Sequence, residues 1–460
     1  MTIELEEYMT NPIHTFHLLH RAVKGWDRMR DILSCEGDNC PDLTGADIID
    51  LFITRNADQW PTEQDLSNYA ISILRLWKVY KLDIAKLTLG KFLDMNCEKL
   101  TFDEVLYIAS AAKDRNLYYE AIQWYTHALH MTKTEKKKYG DKKARAYKPL
   151  AASYDKAKMT WKSIELIKEL LEVEPENAGA KRDLKHYESL SQRNNVKELI
   201  PPKRRYANLK GKPWAKFDAL CRGEIKSVRN QSGLSCTLET KMIPYSPLKA
   251  EVRNKDPLIM LYHDVLTPTD LSNLLKSSEV VLKNPVRNGY TEFRKPHPGV
   301  DHAHSVWLDD VITRNRIVSH RIEDRLGLST ILRRYDLKNT FQVTNFAPGS
   351  SYTPRWIVDE GVYREDIEER PSKVVQTLAN VKIFLSDVKG GATVFPYART
   401  RVPVTKGGAV VWIDDQTSDR ALKRTLSADC PVLKGVKWGA SKWMHPIGID
   451  LTAVPVSSLR

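Results

Sequence analysis

The 460-residue chain has no apolar run long enough to cross a bilayer and no signal-peptide character at its start. A membrane-spanning helix needs about eighteen or more consecutive apolar residues, so none is expected. The first ten residues, M-T-I-E-L-E-E-Y-M-T, are acidic and lack the apolar stretch of a secretory signal. Either the chain is cytosolic or a secretory segment lies upstream, and the sequence leaves both interpretations open.

Signatures of metal-binding and nucleic-acid-binding domains are also missing. The six cysteines include no C-x-x-C pair, which argues against a structural zinc site. No zinc-finger, RRM or KH pattern accompanies the net charge of +13, and the basic residues are dispersed. The charge therefore favours solubility or an acidic partner over a nucleic-acid surface. Cys221 and Cys236 lie close enough in sequence to close a short disulfide loop.

The first half of the chain has the hydrophobic periodicity of helices. In residues 1–90, apolar residues recur at helical spacing from Pro12 to Leu33 and from Asp65 to Leu82. Residues 95–195 predict two helical hairpins with tetratricopeptide spacing. The clearer hairpin has Ala151 where two helices would cross and Pro175 at its end. A generic helical hairpin is the alternative.

Tyrosines are abundant in these hairpins, either as packing residues or as the lining of a concave groove. Flat amphipathic rings suit proline-rich peptides, which adopt an extended conformation. The residues predicted to bind such a peptide are Tyr118, Tyr119, Tyr147 and Tyr154.

The second half has the pattern of short strands. A polar stretch with Pro201-Pro202 marks a linker within residues 196–255. Over residues 256–450, short apolar runs end at Gly or Pro, as in I-M-L-Y-H-D and G-G-A-V-V-W-I, which predicts a β-sandwich or barrel. The fold class is therefore α+β and multidomain, with an all-α N-terminal half.

Four motifs in the strand-rich half are long enough to compare with known families. They are G-G-A-T-V-F-P (Gly390 to Pro396), K-G-G-A-V-V-W (Lys406 to Trp412), D-C-P-V-L-K-G-V-K-W (Asp429 to Trp438) and S-K-W-M-H (Ser441 to His445). They resemble the catalytic domain of procollagen prolyl 4-hydroxylase α subunits. N-P-I-H-T-F-H-L-L-H-R near the start, and the tetratricopeptide segment, are similar to that family's dimerisation and peptide-binding domains. The resemblance implies a double-stranded β-helix, or jelly roll, for residues 256–450.

The resemblance also implies an iron(II) site held by two histidines and one aspartate, but other residues occupy these positions. The H-x-D pair falls on Arg355 and Ile357, and the second histidine falls on Ser427. Arginine is a permanent cation, isoleucine has no donor atom, and serine is a poor ligand for iron(II). No intact catalytic or metal site is therefore expected, with Asp359 or a distant histidine as the alternative source of a ligand.

The 2-oxoglutarate pocket that the resemblance implies is partly kept. Lys437 stands where the family binds the distal carboxylate of 2-oxoglutarate, and Trp443 matches a pocket tryptophan. Phe346 replaces a tyrosine that hydrogen-bonds this cosubstrate. Two interpretations of Lys382 stay open. It lines an altered pocket for a small anion, together with Arg355 and Lys437, or it reaches solvent.

Further expectations come from the resemblance alone. The family uses ascorbate besides iron and 2-oxoglutarate, assembles with protein disulfide isomerase as a β subunit, and resides in the endoplasmic reticulum lumen. A homo-oligomer is also expected. The resemblance supports a Cys221–Cys236 disulfide, and it implies that Cys430 has lost its usual partner.

Two functions are compatible with these patterns. The first is a non-catalytic α-subunit-like protein that binds proline-rich or collagen-like peptides. The second is an active procollagen-proline 4-dioxygenase that hydroxylates peptidyl proline through non-standard iron ligation. A domain that binds another small anion is a further possibility.

Overall fold

The structure, a computed structural model, describes residues 8–34, 45–55, 60–134, 142–191, 216–225, 236–239, 247–283, 300–307, 322, 342–352, 379–413 and 423–444. The chain divides into two compact units, Met1–Pro202 and Lys203–Arg460. Within these described ranges, no helix has both the length and the apolar composition to cross a membrane.

The first unit is helical, with one short β pair among its described residues. Its elements are α1 (Pro12–His20), a π-helical turn (Arg21–Gly25), α2 (Trp26–Leu33), α3 (Gly45–Arg55), α4 (Glu63–Tyr80), α5 (Ile84–Thr88), β1 (Lys91–Phe92), β2 (Met95–Asn96), α6 (Phe102–Asp114), α7 (Tyr118–Thr134), α8 (Ala144–Lys156), α9 (Thr160–Val173) and α10 (Ala178–Leu190). The two helices predicted in residues 1–90 are present. The first is formed by α1, the π-helical turn and α2 in direct succession.

Local sequence fixes where the longest helix begins and ends. Thr62 accepts a hydrogen bond from the Asp65 main-chain N–H, and the Asp65 carboxylate accepts one from the Thr62 main-chain N–H. This reciprocal capping box satisfies two of the free N–H groups at the start of α4. At the other end, Lys81 adopts a left-handed conformation with φ of 51°, which stops the helix.

The two predicted hairpins are α6–α7 and α8–α9, and the tetratricopeptide-like arrangement is confirmed. Ala151 is fully buried at the crossing of α8 and α9. Its small side chain allows the helices to approach, and its main-chain carbonyl accepts a hydrogen bond of 2.7 Å from the Ser163 hydroxyl on α9. The final helix, α10, packs against α9 and extends the stack.

The second unit is mostly strand in the part of the chain that the structure describes. Its elements are α11 (Phe217–Cys221), β3 (Cys236–Glu239), β4 (Leu248–Lys255), β5 (Leu258–His263), α12 (Pro268–Lys283), β6 (Val300–Trp307), β7 (Gln342–Tyr352), β8 (Ala379–Phe384), β9 (Lys389–Gly390), β10 (Thr393–Phe395), β11 (Thr400–Val402), β12 (Ala409–Ile413), β13 (Ala428–Asp429), β14 (Val432–Lys434) and β15 (Lys437–Met444).

Eleven of these strands form one antiparallel sheet in the order β11-β10-β13-β7-β15-β8-β12-β5-β4-β3, with β6 also paired to β7. Strand β7 joins two walls, because its first residues pair with β15 while Tyr352 at its end pairs with Asp429 on β13. The Lys437 side chain on β15 reaches across to the Gly391 carbonyl beside β10. The sheet therefore curls onto itself, and the predicted jelly roll is confirmed.

Alternating residues of β8 face two different cores. Val381 and Ile383 pack in a cluster that includes Leu271 and Leu274 of α12. The intervening residues face the interior between the two walls, where Phe384 packs with Phe395 and Trp412 among others. Because side chains alternate along a strand, Lys382 is placed on this interior face.

The predicted Cys221–Cys236 disulfide is wrong. Cys221 bonds Cys430 instead, with the two Cα atoms 5.4 Å apart, and Cys236 is a free, exposed thiol. The sheet order explains the difference. Helix α11, which ends at Cys221, packs against β10 and β11, and β10 neighbours β13, which Cys430 follows. Cys236 lies on β3, at the opposite edge of the sheet, so the expectation that Cys430 lacks a partner is wrong as well.

Candidate functional site

The first candidate site is a cavity of about 930 Å³ in the helical unit. One wall comes from α1 and the π-helical turn, and the other from α6 and the beginning of α8. The residues that line it are His17, His20, Arg21, Lys24, Gly25, Glu98, Thr101, Asp103, Glu104, Leu106, Tyr107, Ser110, Lys113, Tyr125, Lys142, Arg145 and Pro149. The cavity therefore lies along the first helix of each tetratricopeptide-like hairpin.

A buried carboxylate joins the two walls. The Glu104 side chain accepts hydrogen bonds from the main-chain N–H and the hydroxyl of Thr101, which caps α6. Its other oxygen is 2.7 Å from Nδ1 of His17 on α1, while Nε2 of His17 is 3.1 Å from the Glu98 carbonyl. Both partners of the imidazole are acceptors, so both ring nitrogens donate and His17 is an imidazolium.

The titration of the pair agrees with this geometry. Burial opposes the charged form of His17, but the hydrogen bond and charge of Glu104 outweigh it and raise the pKa of His17. Burial likewise disfavours the Glu104 carboxylate, yet His17 and Thr101 hold the pKa of Glu104 below its ordinary range. Both shifts favour the ionic form of the pair, in which an imidazolium donates to a carboxylate.

Tyr107 presents an aromatic surface in the cavity. Its hydroxyl donates a hydrogen bond of 2.8 Å to Glu63. The His20 ring meets it edge-on with centroids 5.9 Å apart, and the Lys24 ammonium lies 5.9 Å from the ring centroid. Tyr125, which also lines the cavity, is buried.

Most cavity cations are paired, so their donors are held in place. Asp103 accepts hydrogen bonds from both Lys142 and Arg145, at 3.1 and 2.5 Å. Arg21 makes two hydrogen bonds of 2.7 Å to the Glu98 carboxylate. Five lysine and arginine side chains line the cavity against three carboxylates, which gives it a positive balance.

The four tyrosines predicted to bind peptide are not among the residues that line this cavity. Tyr147 is buried, and its hydroxyl is 3.2 Å from the Glu169 carboxylate on α9, so it packs inside the second hairpin. Tyr118 and Tyr119 begin α7, and Tyr154 lies near the end of α8, all partly exposed. Their part in peptide binding stays a prediction.

The second candidate site lies inside the jelly roll, where the structure brings two predicted lysines to one carboxylate. Asp429 on β13 is 2.9 Å from the Lys382 ammonium and 3.3 Å from the Lys437 ammonium. The Thr393 hydroxyl donates a hydrogen bond of 2.7 Å to the same carboxylate. Lys437 also donates to the Gly391 carbonyl at 2.7 Å. The cluster is almost completely enclosed, since the Asp429 and Lys437 side chains are 2% and 1% exposed.

Gly391 is a position where the backbone requires glycine. Its φ is +65°, and a Cβ there would lie 3.2 Å from Cδ of Lys437. The missing side chain leaves room for the lysine stem, so that its ammonium can reach the Gly391 carbonyl. The same ammonium lies 5.3 Å from the Phe346 ring centroid and 5.7 Å from that of Phe384.

The charges of this cluster depend on each other. Burial favours the neutral acid, but the two lysine ammonium groups and the Thr393 hydroxyl outweigh it and hold the pKa of Asp429 well below its ordinary range. Burial lowers the pKa of Lys437, the Asp429 carboxylate opposes this, and the charge of Lys382 adds to the lowering.

The remaining pocket residues are placed as follows. Phe346 pairs with Lys437 across β7 and β15, and the main chain of Trp443 pairs with Asn380 across β15 and β8. Lys382 does not reach solvent, since its side chain is 14% exposed and bonded to Asp429. The alternative that Lys382 reaches solvent is therefore wrong, because its side chain lies on the interior face of β8 and extends toward Asp429 on β13.

Two of the three predicted iron-ligand positions, Arg355 and Ile357, lie outside the described residues, as does Asp359. Ser427 is partly buried and immediately precedes β13. Among the described residues, no group of three or more His, Cys, Asp or Glu side chains is placed to hold a metal ion. By its chemistry, a donor set of Arg, Ile and Ser does not fit iron(II).

Sequence reasoning missed Asp429 and the His17–Glu104 pair. A signal for Asp429 existed, because it follows Ser427 by two residues and so shares its face in an extended chain. It is also the one charged residue in the segment A-D-C-P-V-L. The histidine and the glutamate lie on helices far apart in sequence, and no local pattern connects them.

Comparison with known proteins finds two family models, both within the first unit. The family model for the prolyl 4-hydroxylase α-subunit N-terminal region matches residues 1–94, and the model for the prolyl 4-hydroxylase peptide-substrate-binding domain matches residues 102–193.

Similar whole proteins include prolyl 4-hydroxylase subunit alpha-2 of Caenorhabditis elegans, 28% identical over 97% of this chain and 82% of the relative. Human subunit alpha-3 is 27% identical over 96% of this chain and 82% of its own length. Among solved structures, a viral collagen prolyl hydroxylase from Paramecium bursaria Chlorella virus-1, in complex with 2-oxoglutarate, matches 41% of this chain and 96% of its own. Its sequence identity is 19% and the TM-score is 0.30.

Proposed function

The chain belongs to the family of prolyl 4-hydroxylase α subunits, and from this premise we propose that it binds proline-rich or collagen-like peptides in its helical unit without hydroxylating them. The observation that carries the proposal is the cavity along α6 and α8, because the wall that these two helices form belongs to the region matched by the peptide-substrate-binding model.

The polar lining of the cavity suits such a peptide. Proline has no N–H, so a proline-rich chain offers many carbonyl acceptors and few donors. Such a chain adopts the polyproline II conformation, in which these carbonyls have no internal partners. Donors must therefore come from the protein, and the cavity supplies them in Lys113 and Arg145, which carry more N–H groups than their partners Asp114 and Asp103 accept.

The aromatic lining suits the proline rings. Proline-rich segments dock in grooves lined by aromatic side chains. Tyr107 is half-buried and fixed by its hydrogen bond to Glu63. A ring held in this way loses little conformational freedom when a peptide stacks on it, which favours binding.

Titration of a Pro-Pro-Gly repeat peptide into the full chain, followed by calorimetry, tests this proposal. Tyr107→Ala should weaken binding by about tenfold or more, as expected for an aromatic hot spot. Tyr118→Ala is the matched control, because that tyrosine is partly exposed and does not line the cavity. If Tyr118→Ala abolishes binding and Tyr107→Ala does not, the peptide binds at the tyrosines predicted from sequence. If the full chain binds no peptide, the proposal fails.

The proposed absence of hydroxylation follows from the donor set at the iron positions. Arg355 brings a permanent positive charge, and Ile357 brings no donor atom. Anaerobic loading with iron(II), followed by metal analysis and an assay for succinate release from 2-oxoglutarate, tests it. We expect less than stoichiometric iron and no succinate. Stoichiometric iron with succinate release would instead establish non-standard ligation and an active procollagen-proline 4-dioxygenase, without affecting the peptide-binding proposal.

We also propose that the chain self-associates through α2 and α3. Large apolar side chains are exposed on these two helices: the exposed fraction is 72% for Ile32, 54% for Ile48 and 51% for Phe52. A cluster of this kind on two neighbouring helices is typical of an interface. Ile48→Lys should shift the chain toward monomer in light scattering, and an unchanged mass would refute this assignment.

Residence in the endoplasmic reticulum lumen, with protein disulfide isomerase as a partner subunit, is proposed on family membership. The Cys221–Cys430 disulfide supports an oxidising compartment, because such bonds persist there and are rare in the cytosol. Co-purification from a secretory-pathway fraction tests both.

A further inference from the structure

The lysine at the expected 2-oxoglutarate position already has a carboxylate partner within the chain. Lys437 contacts Asp429 at 3.3 Å and the Gly391 carbonyl at 2.7 Å. At least two of its three N–H groups are therefore directed to acceptors of the protein itself. Lys382, on a different strand, contacts the other oxygen of the same carboxylate at 2.9 Å.

We propose that Asp429 is an internal substitute for a carboxylate ligand, and that it closes this pocket to 2-oxoglutarate and other small dicarboxylates. The inference goes beyond the proposed peptide binding and does not depend on it, since the cluster lies wholly within the second unit. It assigns a specificity-determining role to one side chain.

The donors around Asp429 are those that a bound carboxylate would need. Two ammonium groups and the Thr393 hydroxyl surround it, so both oxygens of the carboxylate are satisfied. Ionised carboxylates accept their strongest hydrogen bonds from such charged donors. Asp429 thus reproduces the charge and geometry of an anion in this subsite.

A second carboxylate would meet an unfavourable environment here. Asp429 neutralises one of the two ammonium charges and already accepts from both, so an incoming carboxylate would be attracted more weakly and would lie beside another carboxylate. Like charges at such distances interact strongly where water is excluded. The ammonium of Lys437 is also enclosed by the Phe346 and Phe384 rings, which restricts access to it.

The competing explanation is that Asp429 only stabilises two buried lysines. Both explanations predict that Asp429→Ala is less stable than the natural chain. They differ in what restores stability. A subsite shaped for a carboxylate should accept an external one after the internal one is removed, whereas a merely structural ion pair should respond to any anion alike.

The experiment uses the full chain with Asp429→Ala, the double variant Asp429→Ala/Lys437→Ala, and the natural sequence as reference. Thermal unfolding is measured with formate, 2-oxoglutarate and chloride at matched ionic strength, and 2-oxoglutarate affinity is measured by calorimetry. We expect formate and 2-oxoglutarate to raise the unfolding midpoint of Asp429→Ala above that in chloride. Its affinity for 2-oxoglutarate should be at least about tenfold higher than that of the natural chain, as expected for one gained charge-assisted hydrogen bond.

The double variant should lose this gain, because it lacks the Lys437 ammonium that would bind the carboxylate of the ligand. If Asp429→Ala does not fold, Asp429→Ser, whose smaller side chain still leaves room for formate, replaces it. Saturable binding of 2-oxoglutarate to the natural chain would overturn the proposal by itself, whatever the variants do. A folded variant that responds equally to formate and chloride would also overturn it. Peptide affinity is measured on the same samples. It should be unchanged by the Asp429 variants, so a loss of 2-oxoglutarate effects and a loss of peptide binding can be told apart.

Discussion

The helical unit and the jelly-roll unit each bury a carboxylate beside positively charged side chains. A cavity lies next to the carboxylate of the helical unit, whereas the carboxylate of the jelly roll is enclosed on all sides. In the helical unit, Glu104 pairs with His17 and joins α1 to α6, and a cavity of about 930 Å³ lies beside the pair. In the jelly roll, Asp429 occupies the centre between Lys382 and Lys437. One carboxylate stands in the wall of a cavity, and the other fills the place where a ligand's carboxylate would bind.

The difference lies in how the groups are supplied. Glu104 also forms the capping box of its own helix with Thr101, so part of its position is set by local structure, independently of α1. Asp429 is held by residues of three other strand segments, and its environment exists only in the closed sheet. The cavity of the first unit and the proposed closure of the pocket in the second both agree with the proposed peptide-binding function.

The largest effect should come from removing the internal carboxylate. Asp429→Ala should lower the free energy of unfolding of the second unit by about 3–5 kcal/mol, because it leaves two enclosed ammonium groups without a counter-ion. Denaturant unfolding followed by tryptophan fluorescence measures this. Lys382→Met is the matched control and should cost less, since Asp429 keeps Lys437 and Thr393. An Asp429→Ala variant as stable as the natural chain would contradict the role given to this cluster.

The disulfide is the next largest contribution. Cys221→Ser should destabilise the second unit by roughly 2–4 kcal/mol under oxidising conditions, since the bond closes a long loop. Cys236→Ser should be close to neutral, because that thiol is free and exposed. Peptide mapping without reduction should recover Cys221 linked to Cys430. A linkage of Cys221 to Cys236 would restore the pairing expected from sequence.

A smaller effect is expected from the carboxylate in the cavity wall. Glu104→Gln should cost the first unit about 1–3 kcal/mol between pH 4.5 and 6.5, because a buried charged hydrogen bond is lost. Since the pKa of His17 is raised, its stabilisation is complete below its ordinary value of 6.5 and declines as pH rises through the folded value.

The pKa of Glu104 is lowered, so its contribution is complete above its ordinary value of 4.5 and declines as pH falls through the folded value. The pair therefore stabilises most between pH 4.5 and 6.5. Thermal unfolding of the natural chain across pH should show this maximum, and Glu104→Gln should flatten it. A profile unchanged by the substitution would exclude the pair as its source.

The smallest effect tests whether Tyr147 packs inside the second hairpin or binds peptide. Tyr147→Phe removes the hydrogen bond to Glu169 and should cost about 0.5–1.5 kcal/mol of stability. Peptide affinity should not change, because Tyr147 does not line the cavity. A loss of affinity at constant stability would return Tyr147 to the peptide-binding residues predicted from sequence.

Much of the architecture could be predicted from sequence, for identifiable physical reasons. Helices in residues 12–33 and 65–82 follow from apolar periodicity, and the hairpins follow from small residues such as Ala151 at crossings. The jelly roll came from motifs rather than periodicity, because strands buried on both faces, such as β12, lack alternation. The structure brings Lys382 and Lys437 to the same carboxylate, Asp429, while the predicted part of Lys437 in binding 2-oxoglutarate stays a prediction.

The sequence by itself determined the main helices and the strand-rich half. It also showed that Lys437 and Phe346 occupy the expected 2-oxoglutarate positions, and that Arg, Ile and Ser stand where iron ligands are expected. Only the tertiary structure decided which groups meet. It joined Cys221 to Cys430, placed Asp429 between two lysines, and put Tyr107 rather than Tyr147 in the cavity. Local pattern is set by the period of helix or strand along the chain. Pairing across a closed sheet or a helical stack depends instead on long-range order, which no local spacing encodes.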